Sequence, residues 1–337
     1  MALLDYLHRA VEWNHLTAAE AEDAMNAILG GGADPAVLAA FLTALRMKGE
    51  TSDELVGFAR AMRSHCSAVE VQGPLVDTCG TGGQGPSTFN ISTAAAFVAA
   101  GAGARVAKHG NRAVTSKCGS ADILEAMGVK IDLTPEGMAS CIREVGVGFL
   151  FAPRLHPAMR HAGPVRGALK TRTVFNLLGP LTNPARAEAQ LVGALSFKAA
   201  EIMAVALASL GTRRAFVVHG QDGLDEVTTT GLTMAYEVHD GQVKKMAMKP
   251  ADFGVPPATL DELRGGDAMD NLATVLGVLA GNPGPARGIV IVNAAVALIA
   301  AGLADDRMEA ARMAAASIDS GAAREKARRL AEFSQTL

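Results

Sequence analysis

Residues 76–93 read Val-Asp-Thr-Cys-Gly-Thr-Gly-Gly-Gln-Gly-Pro-Ser-Thr-Phe-Asn-Ile-Ser-Thr. The short apolar run Pro74-Leu75-Val76 leads into glycines clustered between Gly80 and Gly85, and Asn90-Ile91-Ser92-Thr93-Ala94 reads as the opening of a helix. That is strand, glycine loop, helix. Residues without a Cβ let backbone N–H groups turn toward one point, and the positive end of the following helix dipole aims there too, so a phosphate group fits. Packing alone explains one or two glycines in such a turn. Capping a helix needs a single Ser, Thr or Asn, whereas Thr88, Asn90, Ser92 and Thr93 crowd this helix start.

After the small-residue run that follows, Ala104-Arg105-Val106-Ala107 predicts a second strand. Its end delivers Lys108, His109, Asn111, Arg112, Ser116 and Lys117 into a loop that again contains glycine. Two successive strand ends, one rich in N–H and hydroxyl donors and the other in cations, describe a site for a polyphosphate. In an open α/β sheet ligands bind outside the carboxyl ends of the strands, where both loops would sit.

Outward from these loops, short apolar runs alternate with helical ones from about residue 74, the pattern of an α/β domain with a mostly parallel central sheet flanked by helices. Thr134-Pro135-Glu136 starts a helix, and Val147–Phe151 is the next strand, followed by Pro153, His156, Arg160, His161 and Arg166. Arg214–His219 is another strand, ending in the turn Gly220-Gln-Asp-Gly-Leu-Asp-Glu226. Paired acids in such a turn are commonly only solvated polar groups. Residues 175–184 hold two prolines, a glycine and two asparagines and cannot continue a helix; they are a hinge or a rigid connector. The polar segment around residues 255–285 and a final basic-acidic helix near 306–334 read as scaffold.

Upstream, Thr17-Ala-Ala-Glu20 and Thr51-Ser-Asp-Glu54 have the capping-box form, and Asp34-Pro35 places an N-cap before a proline. Helices are expected near 2–13, 17–29, 35–48 and 52–65. They make a small N-terminal all-helical domain over residues 1–70, completed by helical segments near 165–190, beside a larger α/β domain over 74–337. Four short helices cannot bury all their apolar faces among themselves, so some of that surface should meet the larger domain or a second subunit.

The 337 residues carry a net charge of −3 and are 49% hydrophobic but only 4% aromatic, so a large aliphatic core is available. No basic run marks a nucleic-acid partner. Cys66, Cys79, Cys118 and Cys141 lack paired metal spacing, and the N-terminus has no basic segment before a long apolar stretch, which fits a reduced cytoplasm. The apolar stretch Gly288–Ala304 is interrupted by Asn293 and suits a buried helix better than a membrane span.

Four segments, GTGGQGPSTFNIST, KHGNRAVTSKCGSADILEAMGV, HPAMRHAGPVRGALKTRTVFNLLGPLTNP and HGQDGLDEV, together resemble the anthranilate phosphoribosyltransferases, collinearly over most of the chain. The resemblance implies transfer of phosphoribose from 5-phosphoribosyl diphosphate to the amine of anthranilate. It implies a diphosphate-substrate site at Gly80, Gly83, Gln84, Thr88, Asn90, Ile91, Ser92, Thr93, Lys108, His109, Gly110, Asn111, Arg112, Ala113, Val114, Thr115, Ser116 and Ser120. Anthranilate would meet Gly80, His109, Asn111, Pro153, Met159 and Arg166, with Lys108, His109 and Arg166 as the groups closest to the chemistry. Ser92, Asp225 and Glu226 would hold Mg²⁺, as two ions, and the N-terminal helices would form a homodimer. His156 and His161 are read as structural. Cys79 and Cys118, near the loops, are read as inert.

Family members usually read GTGGD where this chain has Gln84, which predicts weaker or altered metal binding. A pyrimidine nucleoside phosphorylase shares the architecture but differs in its loop and base-binding residues. A nucleic-acid-binding relative without activity would need a positive surface that this charge balance does not supply.

Overall fold

The computed structural model describes residues 2–82, 85–113 and 118–337. Helices α1 (Leu3–Val11), α2 (Ala18–Leu29), α3 (Pro35–Lys48) and α4 (Ser52–Ser64) fall where the capping signals place them. The hydroxyls of Thr17 and Thr51 accept the N–H groups of Glu20 and Glu54, and Asp34 accepts from Ala36 and Val37 ahead of Pro35. At the α3–α4 corner the buried Lys48 ammonium meets Glu54 at 2.8 Å, and Glu54 also accepts the Leu16 and Thr51 N–H groups, so neither buried charge lacks partners.

The remaining elements run β1 (Val76–Gly80), α5 (Ile91–Gly101), β2 (Val106–Gly110), α6 (Ser120–Ala126), α7 (Pro135–Val145), β3 (Val147–Phe151), α8 (Ala152–Leu155), α9 (Gly163–Leu169), α10 (Phe175–Leu178), β4 (Ala189–Gly193), α11 (Phe197–Ser209), β5 (Arg214–Gly220), β6 (Thr233–His239), β7 (Gln242–Met248), α12 (Ala268–Leu279), α13 (Pro285–Ala301), α14 (Arg307–Asp319) and α15 (Ala322–Ser334). The sheet order is β3-β2-β1-β4-β5-β6-β7. The first five are mutually parallel, and β6 and β7 add an antiparallel edge. The carboxyl ends of β1, β2, β4 and β5 therefore open on one side.

Strand β1 begins at the end of the apolar run and continues through Asp77 and Thr78, both fully buried. Strand β2 likewise carries Lys108 and His109 within it rather than in the loop beyond. Hydrophobicity alone misplaces these boundaries, because the polar side chains are satisfied inside by partners distant in sequence. The C-terminal helix expected near 306–334 is two helices, broken at Gly321, whose φ of 76° suits glycine.

Two hydrophobic cores result. In one, α5, α13, α14 and α15 cover one side of the parallel strands. In the other, α1–α4 pack with residues 162–181, and α11 joins them to β4, β5 and β6. The excess apolar surface of the N-terminal helices is thus partly buried on α11. Helix α13 is buried from Ile289 to Ala300, with Asn293 inside. No helix among the described residues is long and apolar enough to cross a membrane.

Candidate active site

The site begins with Lys108, a buried lysine on β2. Its ammonium donates to the Thr78 carbonyl and lies 3.3 Å from Ser92 Oγ at the start of α5. Burial lowers its pKa, opposed by the negative charges of Asp77 and Glu226. Asp77 accepts the His109 N–H at 3.1 Å and the Asn183 amide at 2.8 Å, while burial raises its carboxyl pKa. Beside it, burial and the Asp77 charge hold the Cys79 thiol protonated, and burial also raises the Cys118 thiol, as inert cysteines require.

Asp225 and Glu226, in the turn after β5, complete this floor. Withdrawal from water raises both carboxyl pKa values, Glu226 to about 8, with the neighbouring Asp225 charge adding to the push. The Gly82 and Ser92 N–H groups lie close enough to lower the Asp225 and Glu226 pKa values, so the acids sit against the first loop and its helix. Their approach depends on glycine. A Cβ on Gly193 would lie 1.7 Å from the Asp225 carbonyl oxygen, and one on Gly80 would lie 3.0 Å from Asp225 Oδ2. Two crowded acids near one lysine are a donor set of hard oxygens that suits a divalent cation, whose charge would draw the proton from Glu226. Among the described residues no three His, Cys, Asp or Glu side chains form a complete metal cage. A cation here would therefore share its coordination with substrate oxygens or water.

The two loops are tied to each other and to the C-terminal half. Asn90 precedes α5 but does not cap it; its amide donates to the Cys118 carbonyl at 3.3 Å and its oxygen accepts from Asn271 at 3.1 Å. Thr88 pairs with Arg264, and the Gly265 N–H donates to the Ser87 carbonyl. The segment around 255–285 therefore buttresses the glycine loop and is more than scaffold. Ile91 and Thr93 are buried at the helix start, with Thr93 Oγ1 lacking a partner.

Gly110 ends β2, Asn111 follows it exposed, and Ser120 Oγ donates to the Asn111 carbonyl at 3.2 Å. The Ala113 N–H donates to Asp122 at 3.0 Å. Arg112 is engaged elsewhere: its guanidinium pairs with Glu125 and with Asp122 at 3.2 Å. Gly83, Gln84, Val114, Thr115, Ser116 and Lys117 lie outside the described residues.

A second group lies along the connector. His109 Nδ1 is 3.1 Å from the Gly179 carbonyl, which can only accept, so Nδ1 carries the hydrogen and Nε2 the lone pair. That Nε2 is buried without a partner among the described residues. Burial pushes the His109 pKa down to about 3, and the ring of His156 packs on it with centroids 5.2 Å apart. His156 thus supports His109, whereas His161 is exposed beside Arg160. The Arg166 guanidinium stacks 5.0 Å from the centre of the Phe175 ring and forms no ion pair among the described residues. Burial lowers its pKa. Residues 175–179 thereby touch both Arg166 and His109. Pro153 is exposed in the first turn after β3, and Met159 packs against the core of the helical unit.

Several residues with a hand in this geometry carry no signal in composition or periodicity. Asp77 and Asn183 each read as one polar residue in a motif. Arg172 lies close enough to lower the Asp225 pKa. Asp222 accepts from Thr228 Oγ1 at 2.5 Å and from the Leu224 N–H, shaping the acidic turn. Asn293 bonds both the N–H and the carbonyl of Val227 at 2.9 Å, fixing the residue after Glu226. Its interruption of an apolar helix is the one sequence signal for it.

A helical unit on an α/β sheet, with glycine loop, buried lysine and acid pair at the strand ends, is the form of a transferase acting on phosphorylated ribose. Two family models match: the glycosyl transferase family helical bundle domain over residues 4–66 and the glycosyl transferase family a/b domain over 72–324. Anthranilate phosphoribosyltransferase of Solibacter usitatus is 60% identical over 99% of both chains, and that of Moorella thermoacetica 54% over 95% of both. The crystal structure of the Thermus thermophilus enzyme superposes with a TM-score of 0.93 at 41% identity, covering 98% of this chain and 99% of that one. The Saccharomyces cerevisiae enzyme in complex with PRPP and Mg gives 0.90 at 28%, covering 99% and 98%. The chain belongs to the anthranilate phosphoribosyltransferase family.

Proposed function

We propose that the chain transfers the phosphoribosyl group of 5-phosphoribosyl diphosphate to the amine of anthranilate, releasing diphosphate, in the second step from chorismate to tryptophan. The observation that carries this reading is Arg166: a half-buried guanidinium 5.0 Å from the centre of the Phe175 ring, with no carboxylate partner among the described residues. A planar guanidinium holds a planar carboxylate with two parallel hydrogen bonds, which suits an aromatic acid.

Breaking the bond between the anomeric carbon and diphosphate builds positive charge on the ribose and negative charge on the leaving group. Lys108 and the N–H groups around Gly82 and Ser92 face the latter, stabilising charge where it develops. Mg²⁺ held by Ser92, Asp225 and Glu226, as two ions shared with the diphosphate, would add charge neutralisation when bound. An aromatic amine is uncharged near neutral pH, so no strong base is needed. His109 cannot become charged there, and its bare Nε2 accepts an amine N–H to orient the nucleophile. Pro153, Met159 and Asn111 flank that pocket, and orientation of two bound substrates supplies much of the rate.

The N-terminal helices form a homodimer contact. Val11, Trp13 and Met47 are 60%, 63% and 69% exposed at the ends of the packed pair α1 and α3. Loss of anthranilate fluorescence that requires protein, 5-phosphoribosyl diphosphate and Mg²⁺ together tests the reaction. Loss that persists without the phosphoribosyl donor would defeat the reading.

A further inference from the structure

At the amino ends of the parallel strands, opposite the strand-end site, lies a cleft whose chemistry the transfer reaction does not use. Its volume is about 730 Å³, within the ~300–1,000 Å³ of small-molecule sites. Two of the three chain segments that pass between the helical unit and the sheet line it, residues 68–72 and 184–186. They are joined by the Val69 N–H donating to the Pro184 carbonyl at 3.1 Å. Arg105, at the entry to β2, and Arg143, in the last turn of α7, complete the wall.

Charge in this cleft is one-sided. Arg105 donates to the Gln72 carbonyl and Arg143 to Ser140 Oγ at 2.8 Å, while the Arg186 guanidinium has no polar partner among the described residues. None of the three is in an ion pair among those residues, and Glu70 is the single acid in the lining. Nearby, Arg63 Nε donates to the Leu181 carbonyl at 2.8 Å, and burial together with the Arg186 charge pushes the Arg63 pKa down to about 10.

The backbone adds a second sign. Arg186 holds φ at 51°, a left-handed conformation that strains a side-chain-bearing residue and persists where surroundings demand it. Arg143 alone could be answering the helix dipole at the end of α7. That explanation does not reach Arg186, which lies in the turn before β4. Three arginines in no ion pair among the described residues, two of them exposed, beside a single acid and apolar Val69, Val71 and Pro184, match a ligand with several negative charges and some apolar surface.

We infer that this cleft is a second anion site, taking a small compound that carries two or more phosphate charges, held by Arg105, Arg143 and Arg186. Its ligand gathers the two connecting segments. Three residues before Arg186, Asn183 bonds Asp77 and the Ala107 carbonyl beneath Lys108, so occupancy stiffens the passage between the helical unit and the catalytic strands.

Calorimetric titration of the intact chain with inorganic triphosphate, without magnesium, tests this against Arg186→Gly. Glycine adopts φ of 51° without strain, so this variant loses a cation and keeps its fold. The unmodified chain is expected to bind triphosphate at the strand-end site and at the cleft, with Arg186→Gly weakening the cleft site at least about tenfold. Lys108→Ala should leave the cleft site intact. Isotherms unchanged by both Arg186→Gly and Arg105→Gln, or the disappearance of all binding in Lys108→Ala, overturn the inference. Repeating the titration with adenosine triphosphate separates an inorganic from an organic source; tighter binding of either that is lost in Arg186→Gly sustains the site.

Discussion

The side-chain amide of Asn183 donates to Asp77 Oδ2 at 2.8 Å and to the Ala107 carbonyl at 2.9 Å, joining the connector to β1 and to β2, which carries the buried Lys108. Asp77 in turn holds the His109 N–H, so one amide sets the position of both. Replacing it leaves a buried carboxylate oxygen and a buried carbonyl without partners. Asn183→Ala is expected to cost about 2–4 kcal/mol, read as a lowered urea midpoint, with kcat reduced under conditions where the variant remains folded.

Arg166 gives a cleaner separation of binding from stability, since it is half-buried and stacked on a ring rather than bonded into the core. Arg166→Ala is expected to raise the KM for anthranilate about 10–100-fold and to leave the KM for 5-phosphoribosyl diphosphate close to its original value. Arg166→Lys should recover only part of the loss, because an ammonium cannot make the two parallel bonds. Equal effects on both substrates would place Arg166 outside the acceptor pocket.

The sequence makes some of this architecture readable and hides the rest for identifiable reasons. Capping chemistry is local, so Thr17, Asp34 and Thr51 place helices α2, α3 and α4 to within a residue or so. Strand β3 is apolar throughout and is delimited correctly. Strands β1 and β2 are displaced toward their carboxyl ends because Asp77, Lys108 and His109 are polar residues paid for by tertiary partners such as Asn183 and Gly179. The same logic hides Asn271 and Asn293, whose bonds to Asn90 and Val227 join residues 181 and 66 positions apart. Arg112 pairs with Glu125 and Asp122, a contact between neighbours that a motif does not encode.

The stacked histidines make stability depend on pH. Burial pushes His109 down to about 3 and His156 to about 4, against ~6.5 in an unfolded chain. Between these values the unfolded chain binds protons that the folded one refuses, so stability falls as pH falls below about 6.5, by up to ~1.4 kcal/mol per pH unit for each ring. The His156 and Lys108 charges add to the depression of His109, whereas the buried Asp77 and Glu226 have raised pKa values, Glu226 to about 8, and oppose the trend. His156→Asn is therefore expected to flatten the fall in urea midpoint between pH 7 and 5. An unchanged slope would mean that other groups carry it.

The acid pair is expected to set the magnesium requirement. Asp225→Asn and Glu226→Gln should each raise the half-saturating Mg²⁺ concentration about tenfold or more, because each removes a charge from a pair already crowded by burial. Gln84→Asp, adding a carboxylate to the first loop, should lower it. Superimposable magnesium titrations for Gln84→Asp and the unmodified enzyme would rule out a role for position 84 in metal binding.

Trp13 is the sole tryptophan of the chain, and it sits 63% exposed just beyond α1 with φ of 64°. An exposed indole in a left-handed conformation gains most from a partner surface, and Val11 and Leu4 extend the apolar area beside it. If the α1–α3 face closes a homodimer, light scattering should return twice the 34.7 kDa chain mass, and dilution should shift the tryptophan emission to longer wavelength as the indole meets water. Trp13→Glu should then give a folded monomer, because the side chain contributes little to either core. A dimer that survives Trp13→Glu with unchanged dissociation would move the contact away from these helices.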